Sequence, residues 1–267
     1  MSNKRNQESW NHLSSYYQVI NKISLEDVHY GPFAPGEKEL CIIENVIGLD
    51  VLELGCGGGQ NAIVLAKWGA KSVTALDQSE KQLEHARQLA KVQDVKIKFL
   101  KGNMEDLSML EDNSFDLIVS SHAMNYVEDL QQVFVESARV LRKGGRIVTC
   151  MGHPISFVIW DALEEESLDK VNNYFSKERM VWDWIDEHGT KLATFESTSY
   201  RFEQIINYLI FAGLRIERVL EPPGYSAAQI ENMGLEAVPY RWDHIDHRFI
   251  TINQRIPFSL IVSAIKL

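Results

Sequence analysis

The sequence predicts an α/β fold in which a doubly wound, mostly parallel sheet of seven strands carries a late antiparallel strand and a helical cap insertion. Between residues 51 and 150, apolar segments of strand length alternate with segments of helical periodicity. The first of these strands runs into a glycine-rich turn from Gly55 to Gly59, and an apolar helix face follows it. This order is typical of a Rossmann-like sheet, which binds ligands outside the carboxyl ends of its strands.

Residues 1–50 are predicted to form N-terminal helices and a lid. An amphipathic helix over about residues 7–19 carries Tyr17, and it either packs on the core or covers the site. Proline and glycine make residues 28–36 a loop. A second helix is predicted over residues 37–47, because apolar residues recur on one face and a glycine follows.

Residues 51–150 are the predicted ligand-binding core. Its five strands are expected at residues 51–54, 72–77, 95–100, 115–120 and 146–149. Ser79 begins a capping-box pattern, which predicts that a helix follows the second strand. A helix over about residues 129–141 should end at Lys143-Gly144-Gly145, where a cation and two glycines form a stop signal.

The alternation breaks after the fifth strand. Residues 151–199 are rich in aromatic and acidic side chains, and we expect them to form a mostly helical substrate cap. A helix over 200–212, a strand over 214–220, a short helix over 226–233 and a final strand over 255–267 should complete the sheet. The whole chain, 1–267, is thus expected to be one domain.

Composition and charge limit the function classes. There are 37 acidic and 27 basic residues, and no run of Lys and Arg, so a nucleic-acid partner is not expected. Three scattered cysteines, Cys41, Cys56 and Cys150, lack metal-ligand spacing, and no metal site is expected. No signal peptide or apolar run of membrane-spanning length is present, which predicts a cytoplasmic protein without a membrane partner. Its oligomeric state, monomer or homodimer, is left open.

The glycine turn allows more than one ligand. A dinucleotide fingerprint fits as Gly57-x-Gly59-x-x-Ala62, whereas the Gly-Lys-Ser/Thr of a nucleoside-triphosphate loop is missing. Glu53, an acid in an otherwise apolar strand, and Asp77, at the end of the next strand, suit a nucleoside ligand with a cationic amino-acid tail. An oxidoreductase that uses a nicotinamide accounts poorly for Glu53.

Five ordered motifs resemble those of the class I S-adenosylmethionine-dependent methyltransferases, most closely the small-molecule branch (types 11 and 25). The resemblance runs from about residue 29 through the fifth strand and includes the later step 208–214. The motifs are Glu53-Leu54-Gly55-Cys56-Gly57-Gly58-Gly59-Gln60-Asn61, Asp77-Gln78-Ser79, Gly102-Asn103-Met104-Glu105-Asp106-Leu107, Ser114-Phe115-Asp116-Leu117 and Val140-Leu141-Arg142-Lys143-Gly144-Gly145.

The resemblance implies S-adenosyl-L-methionine as cofactor and assigns roles to these residues. Glu53 would hold the methionine ammonium, Asp77 the ribose hydroxyls, and Asn103 and Met104 the adenine. The chain departs from the family at Asn103, where Asp is common, and at Gln78, where an apolar residue often packs on the adenine. The expected cofactor contacts are Tyr17, Tyr30, Glu53, Gly55, Gly57, Gly59, Asp77, Gln78, Gln82, Asn103, Met104, Glu105 and Ser120.

The expected reaction is methyl transfer by in-line displacement to an oxygen, nitrogen or carbon atom of a small, hydrophobic or aromatic metabolite. His122 and His153 follow the fourth and fifth strands and are the candidate catalytic bases, while Asn125 and Tyr126 could orient the substrate. His29, with Tyr17 and Tyr30, would close the other side of the site. The sequence contains neither of the usual nucleic-acid methylation motifs, Asn/Asp-Pro-Pro-Tyr and Pro-Cys. The alternatives are a nicotinamide oxidoreductase and a non-catalytic cofactor-binding protein.

Overall fold

A seven-stranded sheet forms the centre of the computed structural model, which describes residues 2–243 and 245–267. In chain order the helices and strands are α1 (Ser2–Ile20), β1 (Asn21–Ile23), α2 (Glu37–Leu40), β2 (Asp50–Leu54), α3 (Gln60–Lys67), β3 (Ser72–Asp77), α4 (Glu80–Val92), β4 (Lys98–Lys101), β5 (Phe115–Ser121), α5 (Leu130–Val140), β6 (Leu141–Gly152), α6 (Pro154–Glu164), β7 (Met180–Ile185), β8 (Lys191–Ser197), α7 (Phe202–Phe211), β9 (Leu214–Leu220), α8 (Ala227–Met233), β10 (Tyr240–Trp242), α9 (His247–Asn253) and β11 (Ser259–Lys266).

The strand order across the sheet is β4-β3-β2-β5-β6-β11-β9. Only β11 runs against its neighbours in this sheet, because it pairs antiparallel with both β6 and β9. The predicted fold class is confirmed, including the late antiparallel strand. The direction of winding reverses between β2 and β5, and in open α/β sheets such a reversal leaves a ligand-binding crevice at the carboxyl ends.

Side chains of β2 alternate between two cores, one on each face of the sheet. Leu52 and Leu54 join the cluster that contains Ile118, whereas Val51 joins the cluster that contains Val119. Because both faces are covered, every side chain of β2 beyond its first residue is buried. Glu53 is therefore an acid inside the core, at 3% exposure.

The fifth predicted strand is longer than expected. We predicted residues 146–149, whereas β6 extends to Gly152, which pairs with Ser259 of β11. The antiparallel partner continues the pairing beyond the end of β5. The third predicted strand, 95–100, lies instead at Lys98–Lys101.

The predicted helix over residues 37–47 is wrong beyond its first turn. α2 spans only Glu37–Leu40, and Cys41 (φ +48°) and Glu44 (φ +67°) adopt the left-handed conformation. The buried carboxylate of Glu37 accepts the backbone N–H groups of Ile43 (2.7 Å) and Glu44 (3.1 Å). A side chain thus satisfies the donors that a continuing helix would have bonded internally.

The mostly helical cap predicted over residues 151–199 is also partly wrong. After α6, the strands β7 and β8 form an antiparallel hairpin. Asp186 Oδ1 accepts the N–H groups of His188 (2.9 Å) and Thr190 (2.8 Å), which closes the hairpin turn, and Gly189 supplies a positive φ of +79°. The cap therefore presents a sheet face to the site.

α1 packs on this hairpin and on the main domain. The side-chain amide of Asn6 bonds both the carbonyl (2.8 Å) and the N–H (2.9 Å) of Glu196 in β8. The following strand β1 pairs with β10, so the end of α1 is tied to the C-terminal part of the chain. Among the described residues, no helix has the length and apolar content that crossing a membrane requires.

Candidate functional site

A cavity of about 710 Å³ lies at the carboxyl ends of β2 to β6. Residues that follow each of these five strands contribute to its wall, together with residues of α1, the β7–β8 hairpin and the segment from β10 to β11. Its size is within the range of pockets for small ligands. The position matches the crevice that the strand order predicts.

The glycine turn forms the floor of the cavity. Gly57 has a φ of +51°, and a Cβ added there would meet no protein atom within 4 Å, so its backbone is open to a ligand. A Cβ on Gly55 would lie 2.2 Å from the Cβ of Ala123, so this glycine permits close approach of the loop after β5. Gly59, also predicted as a cofactor contact, does not line the cavity; a Cβ there would lie 2.9 Å from the Cβ of Ala86, so this glycine permits close packing of α4.

Glu53 reaches the cavity from β2 with an unsatisfied oxygen. Its Oε2 is buried and has no hydrogen-bond partner among the described residues. Burial, together with the charge of Asp77, raises the pKa of Glu53 to about 8. A buried acceptor without a donor is costly, and an ammonium group would both satisfy it and favour its charged form.

Asp77 lies at the end of β3 and is fixed by the backbone. Its Oδ2 accepts the N–H of Gly57 and its Oδ1 accepts the N–H of Ser79, both at 2.8 Å. Burial raises the pKa of Asp77, although these N–H groups act in the opposite direction. Each oxygen keeps a second lone pair for a ligand hydroxyl.

The loop after β4 brings Asn103 and Met104 to the cavity wall. The Asn103 side chain is held by Glu105, since its Nδ2 donates to Oε2 (2.8 Å) and its Oδ1 accepts the Glu105 N–H (3.0 Å). The other oxygen of Glu105 accepts the N–H groups of Glu128 and Asp129. Glu105, predicted as a cofactor contact, lies outside the wall and instead positions Asn103.

α1 covers the glycine turn. Gln18 accepts a hydrogen bond from Gln60 of α3 (2.7 Å) and donates one to Gln82 of α4 (2.8 Å). A Cβ on Gly58 would lie 2.4 Å from Gln18 Nε2. Of the predicted contacts, Tyr17, Gln78 and Gln82 line the cavity here. The helix therefore acts both as packed structure and as a cover.

His122, one predicted base, lines the cavity directly after β5. It has a φ of +53°, and its ring is stacked on Phe258 at 5.7 Å between centroids. Its Nε2 lies 3.0 Å from Ser259 Oγ and 3.4 Å from the carbonyl oxygen of Tyr30. Burial lowers the pKa of His122 to about 4, so the ring is neutral at physiological pH.

His153, the other predicted base, lies outside the cavity wall. Its Nδ1 accepts the N–H of Ile155 (3.1 Å) at the start of α6, and its Nε2 bonds Glu221 (2.7 Å). Both ring nitrogens are thus occupied. Burial lowers the pKa of His153, and Glu221 acts in the opposite direction.

Two further predicted contacts, Tyr30 and Ser120, are fully buried outside the wall. The Tyr30 hydroxyl donates to Glu37 Oε2 (2.6 Å), and the Ser120 hydroxyl donates to the carbonyl of Leu54 (2.8 Å). Each side chain therefore braces the scaffold behind the site.

Aromatic rings form much of the remaining wall, and no lysine or arginine is found among its described residues. The charged side chains of the wall are all acids: Glu53, Asp77, Asp161 and Asp246. No group of three or more possible metal ligands occurs in the described part of the chain. The rings are Trp10, Tyr17, Tyr126, Phe157, Trp160, Trp182, Trp184, Tyr240, Trp242, Phe249 and Phe258.

Sequence reasoning missed several wall residues. Trp182 and Trp184 reach the cavity from β7, and their spacing of two in Met180–Ile185, followed by a polar turn with Gly189, is a strand signal that could have revealed the hairpin. Gln18, which lies behind the wall and bonds the wall residues Gln60 and Gln82, has no local sequence signal either. Trp242 and Phe249 belong to short elements whose position depends on the β1–β10 pairing.

Known methyltransferases resemble this chain in sequence and structure. Residues 52–149 match the family described as Methyltransferase domain. An uncharacterized methyltransferase, YbaJ of Bacillus subtilis, is 42% identical over 47% of this chain, and the chain spans about half (49%) of that protein. A demethylmenaquinone methyltransferase of Lactococcus lactis is 30% identical over 70% of this chain and 75% of its own length.

The solved structures agree. An S-adenosylmethionine-dependent methyltransferase of Mesorhizobium loti superposes with a TM-score of 0.62 and 26% identity, over 85% of this chain and 95% of its own. The site fits that cofactor, because the orphaned oxygen of Glu53 lacks a cationic partner and Gly57 leaves room against the backbone. The chain belongs to the class I S-adenosylmethionine-dependent methyltransferases, and its cofactor is S-adenosyl-L-methionine.

Proposed function

We propose that this methyltransferase acts on a small, hydrophobic or aromatic metabolite. The part of this metabolite that lies inside the cavity carries no negative charge. The observation that carries the proposal is the cavity wall, which contains many aromatic rings and no described lysine or arginine. Aromatic walls bind flat apolar groups. An anionic substrate would lose its hydration without gaining a cationic partner.

The cofactor contacts that we propose are those predicted residues that line the cavity. Glu53 holds the methionine ammonium, Asp77 accepts the ribose hydroxyls, and Asn103 and Met104 contact the adenine. The orphaned Oε2 of Glu53 supports the first assignment. The remaining contacts of this set are Tyr17, Gly55, Gly57, Gln78 and Gln82.

The chain contributes mainly by positioning and by excluding water. Bound S-adenosylmethionine supplies an electrophilic methyl group on a sulfonium sulfur. α1 and the hairpin enclose the reacting groups, and holding them in line can lower the barrier by about 7 kcal/mol or more. His122 is the cavity residue that we propose as proton acceptor for the nucleophile, because its ring is neutral. In this proposal the substrate atom that receives the methyl group is an oxygen, a nitrogen or a carbon.

Relatives support a small-molecule substrate. The Lactococcus lactis relative carries the name of one, demethylmenaquinone, and the chain covers three quarters of it. The acidic composition argues against a nucleic-acid substrate, since no basic surface run is available to neutralise phosphates.

Methyl-labelled S-adenosylmethionine tests the proposal directly. The protein is incubated with it and a bacterial metabolite extract, and the products are separated into neutral, cationic, anionic and macromolecular fractions. Label should enter a neutral or cationic compound that partitions into organic solvent. Phe157→Ala, a change at a wall residue of α6, should raise the KM for that compound and leave cofactor affinity unchanged. Label found only in anionic or macromolecular fractions would contradict the proposal.

A further inference from the structure

Two histidines, His29 and His122, line the cavity. The backbone of His29 is anchored on both sides, because its N–H donates to Asn61 Oδ1 (3.0 Å) and its carbonyl accepts the Ser121 hydroxyl (2.8 Å). Ser121 immediately precedes His122 in the chain. The two anchors therefore tie His29 to the residue before His122 and to the helix that follows the glycine turn.

The hydrogen-bond partners of His122 favour one tautomer. The Tyr30 carbonyl (2.8 Å) is a nearer acceptor for the single Ser259 hydroxyl proton than His122 Nε2 (3.0 Å), so we infer that the hydroxyl donates to the carbonyl and that its oxygen accepts from Nε2. The Tyr30 carbonyl, 3.4 Å from the same nitrogen, is also an acceptor. Both neighbours place the proton on Nε2. The lone pair is consequently on Nδ1, which has no hydrogen bond with a described residue.

The ring of His29 is unpartnered. Its Nδ1 is buried without a hydrogen bond, and no described residue bonds its Nε2. The ring packs edge-on against Tyr240 at 5.0 Å between centroids, which restricts its orientation. Burial, reinforced by His122, lowers the pKa of His29 to about 3, so the ring is neutral and carries one N–H and one lone pair.

A neutral donor beside a neutral acceptor suits one kind of nucleophile. A hydroxyl oxygen donates one proton and has two lone pairs, so it can bond His122 Nδ1, accept an N–H from His29, and still direct a lone pair at the methyl group. A neutral amine has one lone pair, which the His29 donor would compete for. A carbon nucleophile offers no comparable acceptor.

We propose that the acceptor atom is the oxygen of a hydroxyl group on an aromatic ring, oriented by His29 and deprotonated by His122. The inference rests on the proposed function and narrows its choice of atoms. The O–CH₃ bond forms as the S–CH₃ bond of S-adenosylmethionine breaks, and the electron pair of the broken bond stays on sulfur. The hydroxyl proton passes to His122 Nδ1 and then to solvent. A phenol is preferred to an alcohol, because a phenol ionises near a pKa of about 10 and a buried imidazole is a weak base.

The tautomer can be measured without a substrate. Long-range ¹H–¹⁵N spectra of the ¹⁵N-labelled protein with S-adenosylhomocysteine should show His122 as a neutral ring protonated at Nε2. Added phenol, used as the probe, should shift His122 Nδ1 and a ring nitrogen of His29. A His122 ring protonated at Nδ1, or spectra that phenol leaves unchanged, would overturn the assignment.

Product analysis distinguishes an oxygen from a nitrogen or a carbon as the atom that receives the methyl group. A panel of ring compounds in matched phenol and aniline pairs is offered with methyl-labelled S-adenosylmethionine, and methyl ethers are expected as products. His122→Asn should lower kcat by about 100-fold or more, with cofactor affinity retained. His29→Phe should lower kcat/KM on the order of ten-fold. The exposed His188→Asn is the matched control and should leave both constants unchanged.

Label on the nitrogen of anilines or on ring carbon would overturn the hydroxyl assignment while leaving the proposed function intact. Unchanged kinetics in His29→Phe would remove His29 from the reaction.

Discussion

In the free protein Glu53 is protonated at neutral pH, and a cationic ligand would favour its charged form. Without a cation nearby, its buried carboxyl has a pKa of about 8, and its Oε2 is unsatisfied. Such a group reduces the stability of the free protein at neutral and alkaline pH, and it strengthens binding of a cationic ligand.

The substitution Glu53→Gln should therefore separate stability from binding. It removes the ionisable group while keeping the shape, so the free energy of unfolding should rise at pH 8 and the affinity for S-adenosylmethionine should fall by about ten-fold or more. Denaturant titration and calorimetry measure the two effects. In the wild type at pH 7, binding should release up to one proton, which calorimetry in buffers of different ionisation enthalpy detects.

The exposed acid Glu231 in α8 provides the matched control, because Glu231→Gln makes the same side-chain replacement at a residue outside the cavity wall. Equal affinity of wild type and Glu53→Gln for the cofactor would be inconsistent with an ammonium contact at this residue.

Individual site residues could be predicted from the sequence where the backbone pattern dictates them. Glu53 and Asp77 stand at the ends of adjacent parallel strands, so their position follows from strand order and their chemistry from the side chain. Ser120 and Tyr30 could not be separated from true wall residues in this way. Ser120 lies beside the strand ends but points to the Leu54 carbonyl, and only the pleat of β5 determines that direction.

At the scale of elements, α1 is the cover of the cofactor end. Its hold on the glycine turn depends on a bridge of three glutamines, Gln60, Gln18 and Gln82. α1 is joined to β8 by side-chain hydrogen bonds of Asn6 and Ser9 and not by a backbone ladder, so opening of α1 requires less energy than opening of the sheet. Closure of such elements over bound ligands commonly controls ligand release.

Gln18→Ala should speed cofactor release several-fold without changing the fold, because two hydrogen bonds worth about 1 kcal/mol each are lost from the closed state. Stopped-flow displacement of bound S-adenosylhomocysteine measures the rate. Hydrogen exchange should show that the ligand protects the amides of α1 in the wild type and does so less in the variant. The exposed Lys4→Ala, on the same helix, should behave as wild type. Equal release rates in all three proteins would show that the bridge does not retain the cofactor.

Elements that depend on neighbouring residues in the sequence were predicted well. Elements that depend on contacts with distant parts of the chain were not. The glycine turn, the Ser79 cap of α4 and the strand at Leu214–Leu220 follow from spacing, and the structure has them at or near the expected residues. α2 ends early because the buried carboxylate of Glu37 accepts the backbone N–H groups of Ile43 and Glu44. The hairpin carries acids and tryptophans that also suit an amphipathic helix, and packing against α1 decides between the two.

At the scale of the whole molecule, three buried groups of the cavity should shape the dependence of stability on pH. His29 and His122 have pKa values of about 3 and 4 in the folded state against an ordinary 6.5, so acidification below 6.5 favours the unfolded chain, which takes up their protons. Glu53 acts oppositely, because its folded pKa of about 8 exceeds the ordinary 4.5, and stability is lost as pH rises through 8.

The contribution of these groups to the free energy of unfolding should therefore peak near pH 6.5, the ordinary histidine value, since the two histidines outweigh Glu53 below it. Each proton contributes a slope of about 1.4 kcal/mol per pH unit. Denaturant titrations from pH 4 to 9 measure the curve. His29→Phe should flatten the acidic limb and Glu53→Gln the alkaline one; a limb that keeps its slope in the corresponding variant would show that other groups cause it.

The position of β11 in the sheet determines when the sheet can be completed during synthesis of the chain. β11 lies between β6 and β9, yet it follows both in the sequence. While a ribosome is still adding the residues after Leu220, β9 has no strand to pair with and the edge of β6 is exposed. The nascent enzyme therefore carries two unpaired strand edges until Lys266 has left the exit tunnel, which makes this interval the one in which a chaperone would protect it most.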